Sequence, residues 1–303
     1  MSSKASSSFR SGFVAVVGRP NVGKSTLVNK IVGEKVSITS SRPQTTRSTI
    51  RGVRTSSDTQ LVLLDTPGLH KPSTELGKRT NQSARAALEE VDVICFVVEA
   101  SDVIGSGDRF IATMVQKTST PCVLVLNKID IAARTEVVDH LATSAGLGDF
   151  AAYVPCSALT GDGVDVLVEQ LLVRLPEGPQ YYPDGVNTDQ AETFLAAELV
   201  REQLLERTWQ EVPHSIGVTA EELDRGGVDH PADVLRLRVT IRVERDSQKG
   251  IVIGRGGAQL KEVVSAARRN LEALLGGRVY LETRVVVEPD WQKRPGALDR
   301  MGF

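Results

Sequence analysis

The chain has 303 residues, of which 41% are hydrophobic and 24% charged, a composition typical of a soluble globular protein with room for two ordinary domains. Its three cysteines are too few and too scattered for a disulfide framework or a four-thiolate metal site, and they suit a reducing cytoplasm. The longest apolar run, VDVICFVVEA, is far shorter than the roughly 20 residues that a membrane helix needs, so we expect no transmembrane segment.

The N-terminus is serine-rich and lacks the apolar core of a secretory signal, so we expect residues 1–11 to be a disordered tail. Five apolar runs then read as fully buried parallel strands: FVAVVGRP, QLVLLDTPG, VDVICFVVEA, PCVLVLNKID and AYVPCSAL. Helical patterns such as GKRTNQSARAALEEV and GVDVLVEQLLVRL lie between them. This alternation predicts an α/β fold over residues 12–178, with a doubly wound, mostly parallel sheet.

The stretch GRPNVGKST follows the first strand and precedes a helical pattern, and it matches the phosphate-loop pattern G-x-x-x-x-G-K-[ST]. Backbone N–H groups of such a loop wrap phosphates at a helix N-terminus. We expect Lys24 to place its charge on the outer phosphates and Ser25 to bind Mg²⁺. The residues expected to contact the nucleotide in this loop are Gly18, Asn21, Val22, Gly23, Lys24, Ser25 and Thr26.

Three later stretches, each after a strand, indicate which nucleotide binds. In DTPG, Asp65 can hold Mg²⁺ through water, and the Gly68 N–H can meet the γ-phosphate. In NKID, the Asp130 carboxylate can accept two hydrogen bonds from guanine, a donor pair that adenine lacks. In CSAL, the Ala158 N–H can meet the guanine O6. Asn127, Lys128 and Ser157 complete the expected base site.

Taken in this order, these motifs resemble those of the translation-factor-related GTPases, whose G domain is a P-loop NTPase fold. Such enzymes keep a mobile switch where this chain has SRPQTTRST, residues 41–49. The resemblance implies that Thr46, just before an arginine, binds Mg²⁺ when the γ-phosphate is present, with Thr45 as the alternative. With Lys24 and Gly68, Thr46 is a candidate catalytic residue.

Two positions bear on hydrolysis. Leu69 follows DTPG where Ras-like enzymes carry the glutamine that orients water, so hydrolysis by the isolated domain should be slow or need other help. Asn21 resembles the residue that potassium-activated GTPases use to hold K⁺ against the phosphates. We therefore keep K⁺ at Asn21 as a candidate cofactor beside GTP or GDP and Mg²⁺.

The segment PEGPQYYPDGVNTD is rich in proline and glycine, and we place the domain linker at residues 179–189. A helix is expected from about 190 to 208, capped by Asp189 or Thr188. LRLRVTIRVER and RVYLETRVVVE alternate with period two and predict half-buried antiparallel strands, and SIGVTAEEL is a weaker strand candidate. The element order is that of a smaller α+β domain of the type II KH class, over residues 190–303.

Between those strands, VIGRGGAQLK contains a G-x-x-G turn, which in KH domains clamps the backbone of about four nucleotides. Residues 236–303 hold 14 basic and 8 acidic residues, a balance of +6 that suits a polyanion partner. The expected RNA contacts are Lys249, Gly254, Arg255, Gly256, Gly257 and Lys261, with Arg268 and Arg269 nearby. This loop lacks the G-K-[ST] ending, so it cannot serve as a second nucleotide loop.

GRPNVGKST, QTTR, DTPGLH and NKID followed by VIGRGGAQLK resemble the Era family of bacterial GTPases over residues 12–303. The resemblance implies a GTP-hydrolysing protein that binds the 3′ end of 16S ribosomal RNA through its KH domain and assists maturation of the small (30S) ribosomal subunit. It also implies a cytoplasmic protein with loose peripheral association with the inner membrane. We expect a monomer.

Three alternatives differ from this interpretation. A passive RNA-binding module would hold its nucleotide only structurally, and RNA-dependent GTP turnover separates the two. A Der-like ribosome GTPase would carry two G domains in tandem, whereas this sequence has one phosphate loop of this kind. A tRNA-modifying GTPase would carry a different N-terminal domain.

Overall fold

A computed structural model describes residues 9–42, 44–223 and 234–303. Most of the predicted N-terminal tail and the stretch 225–233, RGGVDHPAD, lie outside the described residues. The chain divides into two compact units, one made of Met1–Thr39, Thr46–Pro72 and Gly77–Asp189, the other of Ser40–Thr45, Ser73–Leu76 and Gln190–Phe303. The division after Asp189 falls at the end of the predicted linker.

The first unit contains a six-stranded sheet with the strand order β2-β3-β1-β4-β5-β6. Its strands are β1 (Arg10–Gly18), β2 (Ile50–Thr55), β3 (Thr59–Asp65), β4 (Val93–Glu99), β5 (Cys122–Asn127) and β6 (Ala152–Pro155). Its helices are α1 (Lys24–Val32), α2 (Glu75–Ala86), α3 (Ser106–Val115), α4 (Arg134–Ala145) and α5 (Val164–Leu172). The helices pack on both faces, with α1 and α5 over one apolar cluster and α2, α3 and α4 over the other.

The five predicted strands are present and pair in parallel, which confirms the doubly wound fold. The structure corrects two details. Strand β2, which the sequence analysis did not predict, pairs antiparallel to β3 at one edge. Strand β6 lies at the other edge and is only partly buried, with Tyr153 37% exposed, because an edge strand has a neighbour on one side only.

The second unit contains a three-stranded sheet with the order β7-β8-β9. Its strands are β7 (Gly217–Glu222), β8 (Val234–Val243) and β9 (Arg278–Val287), and its helices are α6 (Glu192–Arg207), α7 (Val212–Ser215), α8 (Asp246–Ile253), α9 (Ala258–Leu275) and α10 (Pro295–Arg300). This arrangement confirms the predicted α+β domain, including the weaker strand candidate, now β7.

The sequence predicts that β8 and β9 are antiparallel strands, and for the pairing of β8 with β9 this prediction is wrong. Strand β8 is antiparallel to β7 but parallel to β9. Helices α8 and α9 connect β8 to β9, and a helical crossover of this kind returns the chain to the same end of the sheet before the next strand begins. Both strands keep one buried face, which is why their period-two pattern was readable.

The first helix of the second unit starts later than expected, and its predicted cap is wrong. Its N-cap is Ala191, which forms no side-chain cap. Thr188 instead donates to the Arg51 carbonyl at 2.8 Å, and Asp189 pairs with the Arg51 guanidinium at 2.9 Å. Both polar side chains are therefore used within the first unit.

The second unit also buries a C-terminal cluster that the sequence analysis left unassigned. Trp291 has no exposed surface, and its indole Nε1 donates to the Ser215 carbonyl at 2.9 Å. It packs with Ala297 and Leu298. Within the described ranges, no helix has both the length and the apolar character needed to cross a membrane.

Candidate nucleotide site and nucleic-acid interface

The phosphate loop runs from the end of β1 to the start of α1. Gly23 is the N-cap of α1 with φ 93°, a left-handed conformation that favours glycine. A Cβ at Gly18 would lie 2.5 Å from the Val97 carbonyl oxygen, and a Cβ at Gly23 would overlap the Asn127 amide. Both glycines are therefore needed for the loop to pack against its neighbours with its N–H groups at a helix N-terminus.

Lys24 is buried at the base of this loop. Its Nζ donates to the Gly18 carbonyl at 3.3 Å and to the Arg19 carbonyl at 2.8 Å. Desolvation lowers the pKa of Lys24 to about 8, and the nearby Asp65 carboxylate opposes this effect. A phosphate held at Nζ would likewise favour the charged form. The predicted phosphate-binding cation is thus placed at the loop, held by backbone carbonyls.

The three predicted metal-binding side chains lie together. The Ser25 and Thr46 hydroxyl oxygens are 2.9 Å apart, and Thr46 Oγ1 donates to Asp65 Oδ2 at 3.4 Å. Asp65 is fully buried, and its Oδ1 has no hydrogen-bond partner in the structure. Burial raises the pKa of Asp65. Two hydroxyls and a carboxylate with one unpartnered oxygen form an oxygen donor set that fits Mg²⁺.

The structure also separates the two candidate threonines. Thr46 is buried beside Ser25 and Asp65, whereas the Thr45 hydroxyl donates to the Arg42 carbonyl at 2.7 Å. Thr46 is therefore the residue whose position matches the predicted metal-binding role.

Ser37 is a residue of this site that the sequence analysis missed. Its backbone N–H donates to Asn29 Oδ1 at 2.9 Å, and its carbonyl accepts from Asn29 Nδ2 at 2.8 Å. The side chain is 1% exposed, and its hydroxyl has no hydrogen-bond partner in the structure but lies near Asp65, where it lowers the pKa of that carboxyl against the larger effect of burial. Nothing in the local pattern KVSITS distinguishes this serine from its neighbours.

Asn127 connects the base-binding motifs to the phosphate loop. Its Nδ2 donates to the Val22 carbonyl at 2.8 Å, and its Oδ1 accepts from the Ala158 N–H at 2.9 Å. The sequence predicts that the same Ala158 N–H donates to the guanine O6. Asn127 Oδ1 and the guanine O6 would then share this one donor. Ser157 is fully buried and its hydroxyl accepts from the Thr160 N–H at 3.1 Å.

Lys128 and Asp130 follow Asn127 at the end of β5. Lys128 has φ 68°, and its Nζ pairs with Glu99 at 2.9 Å. Glu99 ends the adjacent strand β4 and was not predicted to belong to the site. Asp130 is exposed, where a base could reach its carboxylate. The structure thus gathers the predicted base-binding residues at the C-terminal ends of β5 and β6.

Gly68 and its neighbours form the other side of the phosphate loop. A Cβ at Gly68 would lie 2.7 Å from the Pro20 nitrogen, so only glycine allows this approach to the loop. Leu69 is 3% exposed and packs into the apolar cluster under α2 and α3, which removes it from any role in orienting water. Asn21 is exposed with φ 67°, and Thr26 is half-buried on α1.

The G-x-x-G turn lies between α8 and α9. Gly254 packs tightly, because a Cβ there would lie 2.7 Å from the Gln259 Cβ. Gly256 (φ 60°) and Gly257 (φ 81°) have open space where a side chain would stand. Arg255 and Lys261 are exposed and Lys249 is half-buried. The turn presents bare backbone beside cations, as a clamp on a nucleic-acid backbone requires.

A groove of about 510 Å³ continues from this turn along α9. Among its lining residues are Lys261 and Arg269, both expected near the RNA, and Arg207 from the end of α6. Arg207 was not predicted, because it lies more than forty residues before the turn in sequence. Ile251, on α8 just before the turn, is 47% exposed.

Comparison with known proteins agrees with this division. Residues 13–128 match the family model described as 50S ribosome-binding GTPase, and residues 211–292 match that of the KH domain. GTPase Era from Mycobacterium avium (strain 104) is 50% identical over 298 residues, covering 97% of this chain and 99% of the relative. GTPase Era from Mycobacterium tuberculosis (strain ATCC 25618 / H37Rv) is 50% identical over 300 residues, with the same coverage.

Two solved structures are similar over nearly the whole chain. One is Era in complex with MgGDPNP and nucleotides 1506–1542 of 16S ribosomal RNA, with a TM-score of 0.92 and 39% identity. The other is a point variant of Aquifex aeolicus Era bound to GDP·AlF4−, with a TM-score of 0.91 and 39% identity. Each comparison covers 97% of this chain and 99% of the solved chain.

Proposed function

The chain belongs to the GTPase Era family, and on that premise we propose that it is a GTP-hydrolysing switch that binds the 3′ end of 16S ribosomal RNA and assists maturation of the 30S subunit. The observation that carries the proposal is the convergence of Ser25, Thr46 and Asp65 beside Lys24 in a chain that also exposes a G-x-x-G turn. The solved Era complex with MgGDPNP and a 16S fragment supports both halves.

In this proposal each phosphate-side residue has a distinct task. Lys24 leaves the loop carbonyls to neutralise the outer phosphates, and the Gly68 N–H donates to the γ-phosphate. Ser25, Thr46 and Asp65 hold Mg²⁺, which neutralises charge on the phosphate oxygens when bound. Because Thr46 lies in the 41–49 segment and Gly68 starts the next one, γ-phosphate contacts would order both segments, and its loss would release them.

At the base end, Asp130 selects guanine. Asn127 holds the base-binding loops against the phosphate loop through its hydrogen bonds to Val22 and Ala158. If ATP replaced GTP, the Asp130 carboxylate would lack the two guanine hydrogen-bond donors, because adenine does not offer them. The Lys128–Glu99 ion pair fixes the lysine beside the base.

We further propose that a monovalent cation at Asn21 supplies positive charge against the phosphates. The burial of Leu69 supports the need for other help, since no side chain directly after DTPG can orient water. We expect GTP hydrolysis to be faster in KCl than in NaCl and the difference to disappear in Asn21→Ala. Equal rates of the wild type in the two salts would rule out the potassium site.

The RNA-binding half of the proposal is tested at Gly256. Asp and Asn both tolerate its left-handed backbone, so Gly256→Asp adds a carboxylate where Gly256→Asn adds a neutral group of the same shape. We expect Gly256→Asp to weaken binding of the 16S 3′-end RNA at least about tenfold more than Gly256→Asn, because its charge opposes the RNA backbone. Filter binding at one fixed salt concentration measures both.

Lys24→Ala serves as the reciprocal control for that experiment. It should abolish GTP binding while leaving RNA binding measurable. Undiminished RNA binding by Gly256→Asp would rule out the G-x-x-G turn as the RNA-binding element without affecting the nucleotide site.

We also propose a cytoplasmic monomer that associates peripherally with the inner membrane, as expected from the family resemblance. Sedimentation velocity measures the oligomeric state, and flotation with anionic vesicles measures the membrane association. A stable dimer, or no protein in the vesicle fraction, would reject the respective part.

A further inference from the structure

A cleft of about 730 Å³ lies in the first unit between the segment after Gly68, helix α2 and the start of α3. We call it the α2–α3 cleft. Its lining includes the apolar residues Leu69, Pro72 and Phe110 and the cationic residues Lys71, Lys78 and Arg85. Its volume lies within the range of ordinary ligand pockets. None of the residues assigned above to nucleotide, metal or RNA binding lines it.

The apolar part of the cleft is centred on Phe110. This side chain is 49% exposed, a large fraction for a phenyl ring on a helix that packs against a sheet. The Arg85 guanidinium lies over the ring, 5.9 Å from its centroid. With a cation over one ring face, Phe110 can still contact an aliphatic side chain, whereas stacking of a nucleobase on that face would require Arg85 to leave.

The charged side chains that line the α2–α3 cleft are all cationic. Lys71, Lys78 and Arg85 are all exposed, and no carboxylate is among the described residues that line the cleft. Single-sign charge around an apolar opening favours a partner of opposite charge and directs its approach.

The spacing of these cations favours a chain over a small anion. Lys78 and Arg85 are seven residues apart on α2, which corresponds to about 10 Å along the helix axis. A single phosphate or carboxylate would contact both only by drawing the two long side chains to one point, which costs side-chain entropy. A peptide with several carboxylates along its length can contact both and still insert an apolar side chain between them.

We propose that the α2–α3 cleft docks an acidic segment of another protein, which inserts an apolar side chain beside Phe110 and places carboxylates against Lys71, Lys78 and Arg85. This interaction does not depend on GTP hydrolysis or on the G-x-x-G turn. It would give the G domain a protein-binding surface separate from its nucleotide and RNA sites.

The test is fluorescence anisotropy with the full-length protein saturated with Mg²⁺ and a non-hydrolysable GTP analogue, the state in which the segment after Gly68 is expected to be ordered. The probe is a fluorescein-labelled peptide of leucines separated by glutamate and aspartate, and its control replaces every acidic residue by glutamine or asparagine. We expect the acidic peptide alone to bind. Lys71→Ala and Arg85→Ala should each weaken binding about two- to fivefold, and Phe110→Ser about tenfold, as expected for an aromatic anchor.

Lys117→Ala is the matched control, because Lys117 is an exposed cation just beyond the far end of α3 and does not line the cleft. It should bind the probe as the wild type does, and every variant should keep wild-type GDP affinity. Equal binding of the acidic and amide peptides, or unchanged binding by all three cleft variants, would overturn the proposal. Displacement of the probe by inorganic phosphate, or loss of single-stranded RNA binding in the same variants, would overturn it in favour of those ligands.

Discussion

The phosphate end of the nucleotide site depends on where one threonine hydroxyl lies. Thr46 is buried 2.9 Å from the Ser25 hydroxyl, while the adjacent Thr45 bonds to the Arg42 carbonyl. The sequence offers both threonines in tandem, so the pattern narrows the choice to two residues. Their side-chain hydrogen bonds distinguish them.

Replacing these threonines separately tests the assignment. Thr46→Ala removes an oxygen from the predicted Mg²⁺ site and should weaken binding of a Mg²⁺–GTP analogue at least about tenfold. GDP affinity should change little, because the role of Thr46 is expected when the γ-phosphate is present. Isothermal titration with each nucleotide measures both effects.

Thr45→Ala is the matched control and should change analogue binding less than about twofold, since it removes only one partly exposed hydrogen bond. If Thr45→Ala lost analogue binding and Thr46→Ala did not, the metal-binding role would move to Thr45.

Residues within motifs could be located from the sequence, and residues that support them could not. Lys24, Asp65 and Asn127 stand at fixed positions in loops that follow strands. Ser37 and Glu99 reach the same site from an irregular segment and from the end of β4, where only the folded backbone brings them to Asp65 and Lys128. A serine or glutamate of this kind carries no local signal.

Among the elements, the parallel strands of the first unit could be predicted with their direction, whereas the direction of β8 relative to β9 in the second unit could not. Apolar runs identify buried strands because both faces of a parallel sheet are covered. Strands β8 and β9 show the same period-two pattern whether they pair parallel or antiparallel, and the α8–α9 crossover decides the direction. Strand β2 was missed because its sequence, IRGVRT, is short and mixes arginine with glycine.

The buried C-terminal cluster is expected to stabilise the second unit. Trp291→Ala would remove a fully buried ring and its bond to the Ser215 carbonyl. We expect the free energy of unfolding to fall by about 3–5 kcal/mol. Urea unfolding followed by circular dichroism measures the change.

Trp209 provides the control, because it is 62% exposed. Trp209→Ala should change the free energy of unfolding by no more than about 0.5 kcal/mol. A loss of no more than about 0.5 kcal/mol in Trp291→Ala as well would show that the burial of Trp291 does not stabilise the second unit.

At the scale of the whole molecule, the chain carries two glycine loops with different chemistry. The phosphate loop presents N–H groups at the start of α1, beside the buried Lys24 and the clustered oxygens of Ser25, Thr46 and Asp65. The G-x-x-G turn is open and exposed, with cations on the surface around it. The first suits a compact nucleotide held in a fixed geometry, and the second suits the backbone of a flexible polymer.

The central claim is that these two sites belong to one RNA-linked GTPase. It is tested most directly by steady-state GTP turnover with and without the 16S 3′-end RNA, for the wild type and Gly256→Asp. We predict that the RNA changes the turnover of the wild type and has little effect on that of Gly256→Asp, whose basal rate is unaltered. Wild-type turnover that is the same with and without RNA, at concentrations where the RNA is bound, would contradict an RNA-linked GTPase and favour a passive RNA-binding module.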